Sequence, residues 1–167
     1  MTASSEKVTL GRMVSDAMSE GTGLRPARLG RGGGALLKGV PLFANLSKRD
    51  LRRLAGRAEE VRYGANRLIV SQGARRDSFF VIAEGIARVR RGSRTIGRLG
   101  LGDFFGEMAL LDGRPRSASV VAETPLVTVR LMRAEFNKEL DTSPTIARGI
   151  LAELAARIRN LESTSTD

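Results

Sequence analysis

Neither cysteine nor histidine occurs in this 167-residue sequence, and the two absences remove a large part of protein chemistry. A zinc site needs thiolate or imidazole ligands, and a Ser-His-Asp or Cys-His nucleophile needs an imidazole base, so both are excluded. Disulfides cannot form, which agrees with a cytoplasmic setting. Aromatics are scarce at 4%, with no tryptophan and a single tyrosine, Tyr63. So few rings cannot build a stacking platform for single-stranded nucleic acid. No apolar run approaches the ~18 residues of a membrane span, and the opening MTASSEKVTLGRMVSDAMSEG lacks the apolar stretch of a signal peptide. The expectation is a cytoplasmic protein without a membrane span and without catalysis. Any enzyme here would have to work through Asp, Glu, Lys, Ser, Thr or Tyr63.

Positive charge is what the sequence has in excess. The formal net charge is +10, and only four of the 28 basic residues are lysines. The arginines are spread along the whole chain, so a surface that attracts small anions is the plainer reading and a nucleic-acid binder the sharper one. The densest run is Arg88, Arg90, Arg91, Arg94 and Arg98, five positives without an intervening acid. Its plain reading is a solvated hairpin.

Residues 1–37, with EGTGLRPARLGRGGGALL, are rich in Gly and Arg. That composition buries too little surface to offset its ordering entropy, so a flexible basic tail is expected there. Val8, Leu10, Met13, Val14 and Met18 could share one loose helical face. A domain is expected over 38–162. Ser47 with Asp50 three positions on reads as a helix cap, followed by Leu51, Leu54 and Ala55 on one face, predicting a helix from 47 to about 56. Brief β-type segments then recur between glycines: EEVRY, RLIVSQG, SFFVIAEG, IARVRRG, RTIGRL, SASVVAE and LVTVRL. Many short strands with Gly-rich turns over about 59–132 predict a sandwich or jelly-roll barrel. MRAEFNKEL and SPTIARGILAELAARIRNLE predict two helices over about 133–162, the second opened by Ser143 and Pro144. Residues 163–167 read as a short C-terminal tail. Ala147, Leu151, Leu154, Ile158 and Leu161 recur at spacings of 4, 3, 4 and 3, a seam suited either to a partner helix or to this chain's own β region.

The chemistry concentrates in FFGEMALLDGRPRSASV, residues 104–120. Gly106 permits unusual backbone geometry, and Glu107 to Leu111 form a single helical turn whose first N–H groups lack internal partners. Such N–H groups attract anions. Arg116 adds a planar fork for phosphate and Ser117 a hydroxyl. Glu107 is acceptor-only and suits a sugar hydroxyl. Together the segment reads as a site for one phosphate joined to one sugar, with a strand-end ion pair between Glu107 and Arg116 as the plain alternative.

Residues 106–118, GEMALLDGRPRSA, resemble the phosphate-binding cassette of cyclic nucleotide-binding domains, the family of catabolite-activator-type regulators, protein kinase A regulatory subunits and cyclic-nucleotide-gated channel sensors. VPLFANLSKRDLRRLA, GANRLIVSQGARRDSFFVIAEGIARV and LGLGDFFGE extend the likeness over about 38–162. The resemblance implies a mainly β fold with flanking helices: a double-stranded β-helix, or β-roll, with C-terminal hinge and lid helices. It implies that Glu107 holds the ribose 2′-hydroxyl and Arg116 the cyclic phosphate. Gly106, Met108, Ala109, Ser117 and Ala118 complete the cradle. It implies a base pocket of Val89, Ile96 and Leu99, for which core packing is an equal account, with Leu161 capping the base and Arg157 matching a family arginine near the phosphate. The implied ligand is cAMP, which Ser117 favours over cGMP, and no other cofactor or metal is called for.

Two departures qualify the likeness. The chain stops at STSTD where activator-type proteins continue into a helix-turn-helix, so that mode of DNA binding is not expected and the output is expected in a protein partner or a fused domain. Leu161 and Glu162 stand where activator-type proteins present a Thr-Ser pair to adenine. The expected role is a cyclic-nucleotide sensor whose C-terminal helices move on binding, with a homodimer through the last helix compatible with its seam. The alternatives are a degenerate domain used for protein–protein interaction and a basic nucleic-acid-binding protein.

Overall fold

The computed structural model of the chain describes residues 24–30, 33–75 and 77–165. Ser47 caps the first long helix as its sequence predicts, its Oγ accepting from the Asp50 amide at 3.1 Å. The helix runs Lys48–Arg57 (α2), after a strand at Leu24–Arg28 (β1), a short helix at Gly33–Lys38 (α1) and a tight helical turn at Pro41–Phe43. The roll follows as β2 (Glu59–Tyr63), β3 (Leu68–Val70), β4 (Ser78–Glu84), β5 (Ala87–Arg91), β6 (Arg94–Leu99) and β7 (Phe104–Phe105). A six-residue helix α3 (Glu107–Asp112) precedes β8 (Ser119–Ala122) and β9 (Leu126–Met132), and the chain closes with α4 (Arg133–Thr142) and α5 (Pro144–Thr164). Ser143 caps α5 through the Ile146 amide, with Pro144 at its start.

All strand pairs are antiparallel. One sheet runs β1-β2-β9-β4-β7 and the other β3-β8-β5-β6. β4 explains how the layers stack. Its residues alternate between two cores: Phe79 and Val81 join the cluster under the helices, while Phe80 and Ile82 join the cluster between the sheets. Phe104 and Phe105 split the same way, Phe105 stacking on Phe80 with centroids 4.9 Å apart. A strand buried on both faces reads as a continuous apolar run, which is why SFFVIA shows no alternation. Each such side chain contributes roughly 1.5–3 kcal/mol when fully buried.

The helices sit on the outer face of the five-stranded sheet, where Phe43, Leu54, Phe136, Ile146 and Ile150 cluster with Phe79 and Leu131. Glu139 of α4 is buried, and its two oxygens take Arg53 and Arg57 of α2 at 3.3 Å each. Gly149 lets α5 lie close on the helical turn: a Cβ there would come within 2.6 Å of Leu42 Cδ1. Among the described residues, no helix is long and apolar enough to cross a membrane.

The fold begins earlier than a tail over 1–37 would allow. β1 pairs with β2, Arg28 opposite Glu59, and Leu29 and Leu37 are buried. A Gly- and Arg-rich segment has little apolar surface of its own, but the open edge of β2 supplies it with backbone hydrogen bonds. Residues 1–23, with the helical face expected at Val8 to Met18, lie outside the described residues. β7 is a second element absent from the sequence reading, since two residues are too few to show a period.

Candidate functional site

β7 delivers the chain to Gly106, which turns it into α3 with φ +90°. A Cβ at this position would stand 2.6 Å from the Ser78 carbonyl oxygen and 2.8 Å from Arg116 Nη1. Only glycine fits, for backbone and for space. The room it leaves is taken by the Arg116 side chain, which is 4% exposed. Arg116 Nη1 donates to the Gly106 carbonyl at 2.9 Å and Nη2 to the Ser78 carbonyl at 2.8 Å. Its backbone is fastened as well: the Gly73 amide donates to Arg116 O at 2.8 Å, and the Arg116 amide donates to Ala74 O at 2.9 Å. The neighbouring Gln72 amide donates to Ser119 Oγ, and Gln72 Oε1 accepts from the Gly92 amide. The turn at 71–74 thereby anchors the end of the segment to the β5–β6 hairpin.

Glu107 opens α3 and is 2% exposed, so its ion pairing is buried and not solvated. Its partner comes from the far end of the chain. Arg157 of α5 donates from Nη1 to Glu107 Oε1 at 2.9 Å, from Nη2 to the Phe104 carbonyl at 2.6 Å and from Nε to Glu153 Oε1 at 3.2 Å. Its guanidinium also lies over the Phe104 ring, 4.9 Å from the centroid, an attractive placement for a cation. Burial pushes the Glu107 carboxyl above its usual value, while Arg157 foremost, then its own backbone amide and Arg116, pull it back.

Gly106, Glu107, Met108, Ala109, Arg116, Ser117 and Ala118 therefore form one compact segment. Ala109 is buried, Ala118 half-buried, and Met108 and Ser117 are exposed side by side, with Ser117 Oγ 4.0 Å from Met108 Sδ. Gly106 provides no side-chain cap for α3. The set offers a buried carboxylate that accepts and a buried guanidinium that donates, the pair needed for a hydroxyl beside an anion.

The expected base pocket is less drawn together. Val89 and Leu99 are half-buried against the core between the sheets. Ile96 is 51% exposed and Leu161 67% exposed. β6 is an edge strand, and Ile96, an odd number of positions from Leu99, falls where its register with β5 shifts, between the Val89–Gly97 and Arg90–Thr95 pairs. Phe104, Glu153 and the Ser78 carbonyl are site groups that sequence reasoning misses. Glu153 and Arg157 stand four apart on one helix, a spacing that favours pairing. Nothing local could announce Ser78.

The model of the family described as the cyclic nucleotide-binding domain matches residues 60–143. The chain belongs to the cyclic nucleotide-binding domain family. Curated relatives agree: a cAMP-dependent protein kinase regulatory subunit of Mycosarcoma maydis is 41% identical over 90 residues, 52% of this chain and 17% of that protein. One from Aspergillus fumigatus is 35% identical over 116 residues, 68% of this chain and 28% of that protein. The chain thus spans less than a third of the length of these relatives. The solved Thermus thermophilus catabolite activator protein superposes with a TM-score of 0.66 at 30% identity, covering 75% of this chain and 62% of that one. The two curated relatives are regulatory subunits, and the cyclic nucleotide-binding domain here is a mainly antiparallel β-roll with flanking helices.

Proposed function

We propose that this chain is a non-catalytic, cytoplasmic receptor for a cyclic purine nucleotide, cAMP in preference to cGMP. The observation that carries the reading is the convergence of two buried, oppositely charged side chains, Glu107 and Arg116, about Gly106. Burying such groups is costly unless their partners or a ligand compensate. In this reading Glu107 accepts from the ribose 2′-hydroxyl and Arg116 donates to the cyclic phosphate. Ser117 and the amides of Met108, Ala109 and Ala118 complete the cradle. Val89 and Leu99 would lie beneath the base, with Ile96 at the rim and Leu161 closing from α5. Among the relatives' names, "cAMP-dependent" supports the base assignment, as does Ser117.

The ligand acts on α5 through Glu107. Arg157 grips the same carboxylate that the ribose would use, so occupancy changes the environment of that grip. α4 and α5 then move relative to the roll. The shift is limited by the ligand's differential affinity for the two arrangements, typically about 1–3 kcal/mol. Leu151, Ile158 and Leu161 are exposed along α5, and they would pass the change to a second copy, a protein partner or a fused output.

Calorimetric titration with cAMP and cGMP, beside Arg116→Ala, tests this. Micromolar or tighter binding that vanishes in the variant is expected, with cAMP the tighter. Absence of heat with either nucleotide from folded protein would remove the receptor reading and leave a protein-interaction module.

A further inference from the structure

Apolar packing of α5 ends before the helix reaches the cassette. Its last buried residue is Ile150, Leu154 packs partly buried against the same core, and every described residue after Arg157 is exposed. The core therefore does not set the direction of the Arg157 side chain, a long one with much rotamer freedom. The Phe104 ring supports one face of the guanidinium, but contact with a ring face leaves rotation within the plane free. Even so, the group is bonded at all three nitrogens: Nη1 to Glu107 Oε1, Nη2 to the Phe104 carbonyl and Nε to Glu153 Oε1. A guanidinium is planar and rigid, so holding the Nε–H direction fixes where both Nη groups point. Glu153 holds it from one turn earlier on the same helix, and Arg157 is its only ion-pair partner among the described residues.

A pair of this spacing on an exposed helix is ordinarily incidental. Here its cation is shared with a buried carboxylate, so any slackening of Arg157 reaches Glu107. The charged groups that face Glu107 are Arg157 and Glu153 from α5 and Arg116 from the approach to β8. Burial raises the Glu107 carboxyl most, Arg157 is the foremost group lowering it, and Glu153 adds the least rise through its own charge. Glu153 thus has two opposed influences: its charge disfavours ionisation of Glu107, while the aim it gives Arg157 favours it.

We propose that Glu153 is a positioning residue of the nucleotide site, aiming the Arg157 guanidinium so that its Nη groups meet the Glu107 carboxylate and the Phe104 carbonyl. Its part in nucleotide affinity rests on the receptor reading above; the aiming of Arg157 does not.

Two variants of the full-length chain separate the aim from the charge. Glu153→Gln keeps an oxygen that accepts from Nε and removes the charge, whereas Glu153→Ala removes both. Carbon-detected NMR follows the titration of the Glu107 carboxyl, its signal assigned by its loss in Glu107→Gln. In Glu153→Ala the carboxyl is expected to titrate at higher pH than in the wild type, and in Glu153→Gln at or below the wild-type value. A Glu153→Ala value at or below the wild type would overturn the proposal, and so would a Glu153→Gln value as high as that of Glu153→Ala. Calorimetry with cAMP gives a second reading. At a pH below the two midpoints Glu153→Ala is expected to bind about threefold more weakly than Glu153→Gln, the two converging at high pH, where the carboxyl is ionised in both. Equal affinities across that range would remove Glu153 from the nucleotide site. If the wild type binds no cAMP, the receptor reading falls, and the carboxyl titration decides the role of Glu153 by itself. Far-UV circular dichroism of each variant confirms that the fold is retained.

Discussion

Arg157, near the C-terminal end of α5, holds the buried Glu107 at the start of α3 through a 2.9 Å bond across fifty positions of sequence. The same guanidinium donates to the Phe104 carbonyl. One side chain thus ties the last helix to both the strand and the turn that form the cassette. Replacing it by alanine strands a buried carboxylate and frees the helix. Arg157→Ala is expected to lose about 1–3 kcal/mol of stability, read as a lower urea midpoint. An unchanged midpoint would show that the pair contributes nothing to the fold.

Glu107 should leave a signature in the pH dependence of stability. Burial raises its carboxyl above the usual 4.5, so ionisation is less favourable in the folded chain than in the unfolded one. The contribution to stability is therefore fully present below the usual value and is lost as pH rises through the folded one. Stability of the wild type relative to Glu107→Gln is expected to decline across the window opening at 4.5 and extending upward. A difference that grows with pH in that window would reverse the sign and refute the assignment. Nucleotide affinity, if it relies on the ionised carboxylate, rises over the same window.

Two glycines with positive φ separate backbone strain from crowding. A Cβ at Gly106 would meet the Ser78 carbonyl and Arg116 Nη1 inside 3 Å, whereas one at Gly113, with φ +70°, would meet nothing within 4 Å. Gly113→Ala is expected to cost about 1 kcal/mol. Gly106→Ala adds the displacement of Arg116 and is expected to cost about 1–3 kcal/mol more, with at least a tenfold loss of cAMP affinity. Parallel melts and titrations of the two variants decide it, and equal losses would mean that Arg116 does not depend on the space Gly106 leaves.

Glu139 tests the attachment of the hinge helix. Its buried carboxylate takes both Arg53 and Arg57. Glu139→Ala leaves two cations facing an emptied site and is expected to cost about 3 kcal/mol, with Arg49→Ala, an exposed neighbour on the same helix as those cations, near neutral. Comparable effects of the two changes in denaturant melts would make the cluster incidental.

The exposed seam on α5 predicts association. Leu151, Ile158 and Leu161 are each more than half exposed, so they do not serve this chain's own core. Sedimentation is expected to show concentration-dependent dimers that Leu151→Glu with Ile158→Glu returns to monomer, the melting temperature of the monomer being unchanged. Monomer at all concentrations would leave the seam to a different partner.

Local signals in the sequence were enough for most of the fold and for the identity of the cassette. Ser47 with Asp50, Ser143 with Pro144, the glycine-bounded β segments and GEMALLDGRPRSA are all short-range patterns, and short-range patterns are what backbone geometry and capping impose. Tertiary structure decided what depends on distant partners. β1 forms because β2 has an edge to pair with, not because LRPAR favours a strand. Arg116 is buried because Gly106 leaves room and the Ser78 carbonyl waits there. Arg157 meets Glu107 only once α5 has packed on the helical layer. The seam of α5 divides in the same way: Leu154 packs against the core that holds Ile146 and Ile150, while Leu151, Ile158 and Leu161 are exposed. Burial and partner choice are properties of contacts across the chain, and no local period encodes them.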